Sequence, residues 1–286
     1  MIDIDFTGFK LDIADRIAVI TLNRPERLNG LDRPIKRDLT EAFIQLSYDN
    51  DADVVVITGG PAFSAGDRIE GLGEVSGWGA AASQPVERTR HDNLAVYNSL
   101  RMVSQNLNRT LRSLDKLTIA AIDGYAIQSG LSLALACDFR IATPRAKLGS
   151  GTLRMGYLPD EGGHHLLVRL LGVAKAKDFL FRNRIVSGTE ALQLGLVHEL
   201  AEPDELQDKA MALARELADG PQVAMRLLKH AIDNAADLTF EQAGMDIAAR
   251  TAISDLHSDA KEGAAAFVAK PRRKPNFNTD RGDTHG

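Results

Sequence analysis

One cysteine, Cys137, occurs among the 286 residues. This excludes an intrachain disulfide and any metal site built from several thiolates. Cys137 falls in an apolar helical stretch, where a thiol is buried and inert rather than nucleophilic. No apolar run approaches the roughly 20 residues needed to span a bilayer. The start, MIDIDFTGFKLDI, is acidic and lacks the basic region and apolar core of a secretion signal, so a cytoplasmic location is expected. There is no excess of positive charge: the net charge of −5 argues against general nucleic-acid binding. G-x-G-x-x-G, G-K-[ST] and H-E-x-x-H are all missing, which removes the dinucleotide, P-loop and zinc-protease readings. The adjacent histidines His164 and His165 stand at a helix start, where they cannot easily ligate one ion, so no metal site is expected. What is present is ordinary for a globular protein, with 44% hydrophobic and 26% charged residues. The length suits one large domain, or one domain with a helical appendage.

Alternating runs at 9–13 and 16–22 flank Asp15 and predict a hairpin. The loop NRPERLNGLD follows, then helical spacing over 34–48 through Ile35, Leu39, Phe43 and Leu46. The run at 54–58 reads as a buried strand ending in a glycine turn. Residues 70–92 are rich in Gly, Ala and Ser, hold Trp78, and read as a mobile active-site loop. A helix is expected over 94–114, a strand over 118–122, a turn at DGYAIQSG and a helix over 131–137. Strand, glycine turn and helix in alternation imply crossover units and a mainly parallel sheet, hence an α/β fold. After residue 165 only helices are expected, at 165–181, 189–194, 204–218, 221–236, 240–254 and 259–268. Ser187, Asp204 and Ser258 are the expected N-caps. The chain therefore divides into a core over 1–200 and a helical region with a basic tail over 201–286.

Two glycine turns, PAFSAGDRIEGL (61–72) and DGYAIQSGLSLALACD (123–138), each follow an apolar strand and precede a helix. Such junctions aim backbone N–H groups outward, reinforced by the helix dipole. Together with NRPERLNGLD, VVVITGG, AKLGSGTLRMGYLPDEGG, RIVSGTEALQLGLVHEL and EGAAAFVAKPRRKPNF, in this order, they make the chain resemble the crotonase (enoyl-CoA hydratase/isomerase) superfamily from about residue 10 to residue 277. The resemblance implies a crotonase-like ββα spiral core with a helical C-terminal region. It implies an acyl-CoA thioester substrate, with coenzyme A entering as part of the substrate and no separate bound cofactor. Two backbone N–H groups grip the thioester oxygen in that family. By motif position these are the amides of Asp67 and Ser129, each such donor being worth about 2.7–4 kcal/mol in the transition state. Ser129 replaces a usual glycine, so its backbone angles must be compatible.

The departures from the family pattern matter for the chemistry. Hydratases of the family carry one catalytic glutamate where this chain has Ser132 and a second where it has Thr152. Neither hydroxyl has a useful pKa near neutrality, so a two-glutamate hydratase is disfavoured. Several family isomerases use one acidic residue in the loop that reads LPDEGGHH here, matching Glu161 or Asp160. Moving a double bond from C3 to C2 needs a single base that takes a proton at C2 and returns it at C4, provided the enolate oxygen is held. An acidic residue before a helix is also a common cap. Glu161 is preferred as the base, with burial against apolar walls expected to raise its pKa. Asp160 is preferred as a helix cap or an orienting partner. The competing readings are a hydratase, another enolate reaction such as decarboxylation or thioester hydrolysis, and a binder of acyl-CoA without turnover.

The resemblance also places coenzyme A. Arg27 and Leu28 match positions lining its groove, and Ala65, Asp67, Arg68 and Ile69 match its adenine and pantetheine strand. The tail cations Lys270 and Lys274, with Arg272 and Arg273 between them, are candidates for a 3′-phosphate, often across a subunit boundary in relatives, or else form a solvated tail. His91 is a weaker candidate for the acyl pocket, and Tyr157 and Asp138 read as structural. Relatives assemble as trimers or dimers of trimers, so a homotrimer or a dimer of trimers is expected.

Overall fold

The two-residue loop Asp15-Arg16 joins β1 (Phe9–Ala14) to β2 (Ile17–Leu22). Both loop residues have positive φ, 50° and 65°, as the tightest hairpin turns require. The computed structural model describes residues 6–66 and 93–278. After a 3-10 turn at Pro25–Arg27, α1 (Arg33–Tyr48) starts at Asp32, whose side chain accepts from the Ile35 amide. Then come β3 (Val54–Thr58), α2 (Asn93–Ser99), a π-helical turn at Leu100–Ser104 and α3 (Gln105–Arg112). β4 (Leu117–Ile122), β5 (Tyr125–Ile127), α4 (Ser129–Ala136), β6 (Phe139–Ala142) and β7 (Lys147–Gly149) follow. A 3-10 turn at Thr152–Met155 leads to α5 (Gly163–Phe181), which is broken at Gly172. The chain ends with β8 (Ile185–Ser187), α6 (Gly188–Leu194), β9 (Glu199–Leu200), α7 (Leu206–Ala218), α8 (Gln222–Ala235), α9 (Phe240–Ser254) and α10 (Ser258–Val268).

Six strands form one sheet in the order β1-β2-β3-β4-β6-β9, and three form a second in the order β5-β7-β8. In the large sheet only the β1–β2 pair is antiparallel. The chain alternates between the sheets: β4 to β5, then α4, then β6 to β7. This produces the spiral of strand pairs and helices. β3 and β4 are buried along their whole length because both faces are covered. Val55, Ile57, Ala120 and Ile122 face Leu39 and Phe43 of α1 and Leu107 and Leu111 of α3. Val54, Val56, Ile119 and Ala121 face Leu206, Ala210, Ala214 and Leu217 of α7. α7 is thus a layer of the core, although it lies beyond residue 200.

Three sequence expectations need correction. The chain after residue 165 is not purely helical, since β8 and β9 are short strands within it. Three-residue and two-residue strands carry too little alternation to register in sequence. DGYAIQSG is not only a turn: it contains β5, and α4 begins at Ser129. Of the three expected caps, Ser187 accepts from the Glu190 amide, but α7 starts after Glu205 with no side-chain cap and α10 is capped by His257.

Buried charges lock the entry ends of the parallel strands. Asp53, ahead of β3, pairs with Arg16 at 3.3 Å and with Arg226 of α8 at 2.8 Å. Lys116, ahead of β4, donates to the carbonyls of Asp49 and Ala52 at 2.6 and 2.5 Å. Lys229 of α8 donates to Asp138 at 2.9 Å and to the Lys116 carbonyl at 2.8 Å. Asp138 also accepts from the amide and hydroxyl of Thr118, so it is structural. No helix among the described residues is long and apolar enough to cross a membrane. Removing one member of a buried pair strands the other. Lys229→Ala is accordingly expected to lower stability by about 3 kcal/mol, measured as a fall in the urea midpoint.

Candidate active site

The opposite, exit ends of β3 and β4 lead into the two glycine turns. After β3 the chain reverses at Gly59 and Gly60. The buried Asn29 side chain holds this turn, its Nδ2 donating to the carbonyls of Gly59 and Ala62 at 2.8 and 2.6 Å. The chain then runs beside the second turn: the Phe63 amide donates to the Asp123 carbonyl at 2.8 Å and Ser64 to Tyr125 at 2.6 Å, while Ile127 donates back to Ser64 at 2.9 Å. Gly66 has φ +92°, and a Cβ there would stand 2.6 Å from the Ile127 carbonyl oxygen. A Cβ on Gly130 would run into the Ser64 carbonyl. The two turns interlock only because both positions are glycine.

Asp123 organises the second turn. Its Oδ1 accepts from the Gly124 amide at 2.8 Å, from Thr143 at 2.7 Å and from Arg145 at 2.9 Å. Burial pushes this carboxyl up, but the hydrogen bonds from Arg145, Thr143 and Gly124 outweigh it and hold the group below the usual carboxylate range. Between β5 and α4 the chain bends at Gln128, with φ 51° and ψ −109°. A non-glycine residue in such a conformation costs roughly 1–3 kcal/mol and persists only where its surroundings fix it. Here the Gln128 amide donates to Gly149 at 3.0 Å, and its side-chain oxygen accepts from Ser150 at 3.0 Å. The bend places Ser129 at the first position of α4.

The third component is the loop 158–162. Its backbone is held from α3: Gln105 donates to the Asp160 carbonyl at 3.1 Å and Asn108 to the Glu161 carbonyl at 3.0 Å. The Glu161 side chain is buried. Lys36 Nζ of α1 lies 2.9 Å from Oε1, the Ser129 hydroxyl donates to the same oxygen, and Gln128 Nε2 donates to Oε2 at 3.3 Å. The expectation of apolar walls is therefore corrected. Glu161 is buried among polar partners and an ammonium, because Lys36 emerges on the buried face of α1. Asp160 does not cap α5 by its side chain: the N-cap position is Gly162, in the left-handed region, with no side-chain cap.

Ser132 and Thr152 are both buried. Thr152 lies 3.3 Å from Ser150, and Ser132 Oγ packs so close to Gly163 that a Cβ there would overlap it. Gln128, Ser132, Ser150, Gly163 and His164 border a void of about 10 Å³, room for about one water. The structure thus brings Ser129 and Glu161 together and sets Ser132 and Thr152 nearby. His165 is exposed on the first turn of α5.

Of the coenzyme positions, Arg27, Leu28 and Ala65 meet at one edge. Leu28 has φ 48° and its carbonyl accepts from the Ala65 amide at 2.9 Å. Asp67, Arg68 and Ile69 lie outside the described residues, as do Trp78 and His91. Lys274 is exposed and pairs with Asp219 at 3.2 Å, and Asp219 pairs with Arg16 at the entry end of β2. Lys270 is exposed on the same tail. Within one chain, Lys274 is tied to the opposite end of β2 from Arg27. Cys137 is buried, and burial pushes its thiol up to about 12.

Sequence reading missed Lys36, Gln105, Asn108 and the Gln128 side chain. A signal existed for Lys36: it is the one cation on the stripe Leu39, Phe43, Leu46, which is otherwise apolar. No comparable signal marks Gln105 or Asn108, since polar residues on a helix normally face water.

This α/β spiral, with two interlocked turns and the buried Glu161 carboxylate bonded to the second of them, defines the class of protein. The sequence profile described as Enoyl-CoA hydratase/isomerase matches residues 12–280, and the chain belongs to that family. It is 29% identical to the crotonyl-CoA hydratase of Syntrophomonas wolfei over 269 residues, which are 93% of this chain and 96% of that protein. It is 28% identical to the short-chain-enoyl-CoA hydratase of Clostridium acetobutylicum, over 91% and 94% of the two chains. The crystal structure of an enoyl-CoA hydratase from Bacillus anthracis superposes with a TM-score of 0.82 at 29% identity, covering 95% of this chain and 99% of the other.

The interlock generates a prediction. Gly130→Ala must displace the Ser64 backbone, so it is expected to cost about 1–3 kcal/mol in stability. It should also lower kcat/KM on an acyl-CoA substrate by about tenfold or more, through misplacement of the turns. Gly244→Ala on α9, where a Cβ meets open space, is the stability control.

Proposed function

We propose that the protein is an acyl-CoA enzyme that shifts a double bond, an enoyl-CoA isomerase with Glu161 as its single base. Membership in the family supports the coarser statement, a crotonase-type acyl-CoA enzyme. One observation carries the finer one. The carboxylate facing the second turn belongs to Glu161, hydrogen-bonded to Ser129, while Ser132 and Thr152 offer only hydroxyls.

In this reading the amides of Asp67 and Ser129 hold the thioester oxygen, and the Arg27–Leu28 and Ala65 edge receives the coenzyme. Glu161 takes a proton from C2 of a 3-enoyl thioester. The electron pair moves into a dienolate whose oxygen is held by the two amides. The proton returns from Glu161 to C4, leaving the 2,3 double bond. One carboxylate performs both transfers when the bound chain presents C2 and C4 to it on one face. Exposed apolar residues on α8–α10, among them Ile232, Phe240, Met245, Ile253 and Phe267, offer an association surface, in line with the proposed homotrimer or dimer of trimers.

A hydratase is the second reading, favoured by the names of the relatives and by the water-sized void beside Ser132 and His164. Paired assays separate the two. One follows conversion of 3-enoyl-CoA to the conjugated 2-enoyl product, and the other follows loss of 2-enoyl-CoA on hydration. The wild type is expected to be active in the first. Glu161→Gln should lose about 10²–10⁴-fold in kcat, and Asp160→Asn should lose less than about tenfold, a margin set by the size of a general-base effect. Hydration as the faster activity would favour the second reading.

A further inference from the structure

Lys36 and Glu161 form an ion pair in which both side chains are almost completely buried, 2% and 1% exposed. Each ion alone would carry a large desolvation penalty at this depth. Of the other buried charges described above, Asp53, Lys116 and Lys229 sit at the entry ends of the strands and tie elements together, and Asp123 is held in its own turn by Gly124, Thr143 and Arg145. The Lys36–Glu161 pair sits at the exit ends, against the turn that holds Ser129.

The loop carrying Glu161 does not need Lys36 for its backbone course. Gln105 and Asn108 already bind the carbonyls of residues 160 and 161. The contact of Lys36 is with the carboxylate itself. Lys36 and the Ser129 hydroxyl both donate to Oε1, while Gln128 donates to Oε2. These donors approach from two sides, α1 and the bend that starts α4, and fix the plane of the carboxylate as well as its place. Ser129 and Gln128 are neutral, so they orient without supplying charge. Lys36 on α1 is a charged group bonded to this carboxylate; Asp160 precedes Glu161 on the same loop, and His164 and His165 are exposed on the first turn of α5. Gln105 and Asn108 of α3 are uncharged.

We propose that Lys36 is a positioning residue of the active site, whose ammonium holds the Glu161 carboxylate ionised and aimed across the second turn. This rests on the reading of Glu161 as the base. An ammonium at 2.9 Å favours the ionised form of a buried carboxylate, so the base stays charged at lower pH. The arrangement thereby widens the acid side of the activity range, at the expense of some basicity.

The test is the pH profile of kcat/KM for 3-enoyl-CoA isomerisation in wild type, Lys36→Met and Lys36→Arg, with Glu161→Gln as reference. A working carboxylate base gives an acid limb, with activity falling as the base is protonated. Loss of the cation should move that limb up by about one pH unit or more in Lys36→Met. Lys36→Arg should restore it toward the wild-type position. A Lys36→Met limb that overlays the wild type would overturn the proposal. Wild-type activity in Glu161→Gln would instead overturn the base reading, and the role of Lys36 with it. Melting temperatures of Lys36→Met and of Lys36→Met/Glu161→Gln keep the test open if the single variant is too unstable to assay. The double variant should melt above the single one, because it no longer buries a lone carboxylate. A double variant that melts no higher would contradict the pairing.

Discussion

The hydrogen bonds that run between residues 63–64 and residues 123–127 are the constraint on which the site depends. They force the chain leaving β3 and the chain leaving β4 to share one edge. Parallel strands already send their exit ends in a common direction, but they do not fix how two loops meet. The ladder through Phe63, Ser64, Tyr125 and Ile127 does so, and the glycines at 66 and 130 let the backbones close to contact. Gln128 then takes up a strained conformation that starts α4 at Ser129. Everything proposed for the chemistry starts from the positions of these backbone groups.

The ends of the large sheet have separate tasks. At the entry end, the buried Asp53, Lys116 and Lys229, with the half-buried Asp138, bond the strand starts to α8. They secure the helical region to the sheet. At the exit end Asp123 fixes the second turn, and Lys36, Gln128 and Ser129 converge on the Glu161 carboxylate. A buried ion pair contributes little net stability and can be less favourable than a well-packed apolar replacement. Lys36 and Glu161 are therefore poorly explained as a device for stability. A role in fixing the orientation and charge of Glu161 accounts for their place against Ser129.

Much of this was legible in the residues. The hairpin about Asp15, the strand at 54–58 and the helix through Ile35, Leu39 and Phe43 follow from periodicity. The two turns follow from small residues between strands and helices, and the absence of carboxylates at 132 and 152 was plain. The short strands β5, β8 and β9 were not legible, because two or three residues cannot display a period. Nor were the surroundings of Glu161. Its partners come from α1, 125 residues earlier in the chain, and from the Gln128 bend. Such partners are set by tertiary packing, and only the lysine on the apolar stripe of α1 hinted at them. The helix-cap reading of Asp160 failed because Gly162, in the left-handed region, occupies the cap position.

The central claim is that the Glu161 carboxylate removes the proton next to the thioester. It is tested most directly by exchange at C2 of a saturated acyl-CoA in deuterium oxide, followed by proton NMR. Such a substrate can be neither isomerised nor hydrated, so the signal reports enolate formation alone. The account predicts deuterium incorporation with the wild type and none above background with Glu161→Gln. Incorporation by Glu161→Gln at the wild-type rate would contradict it.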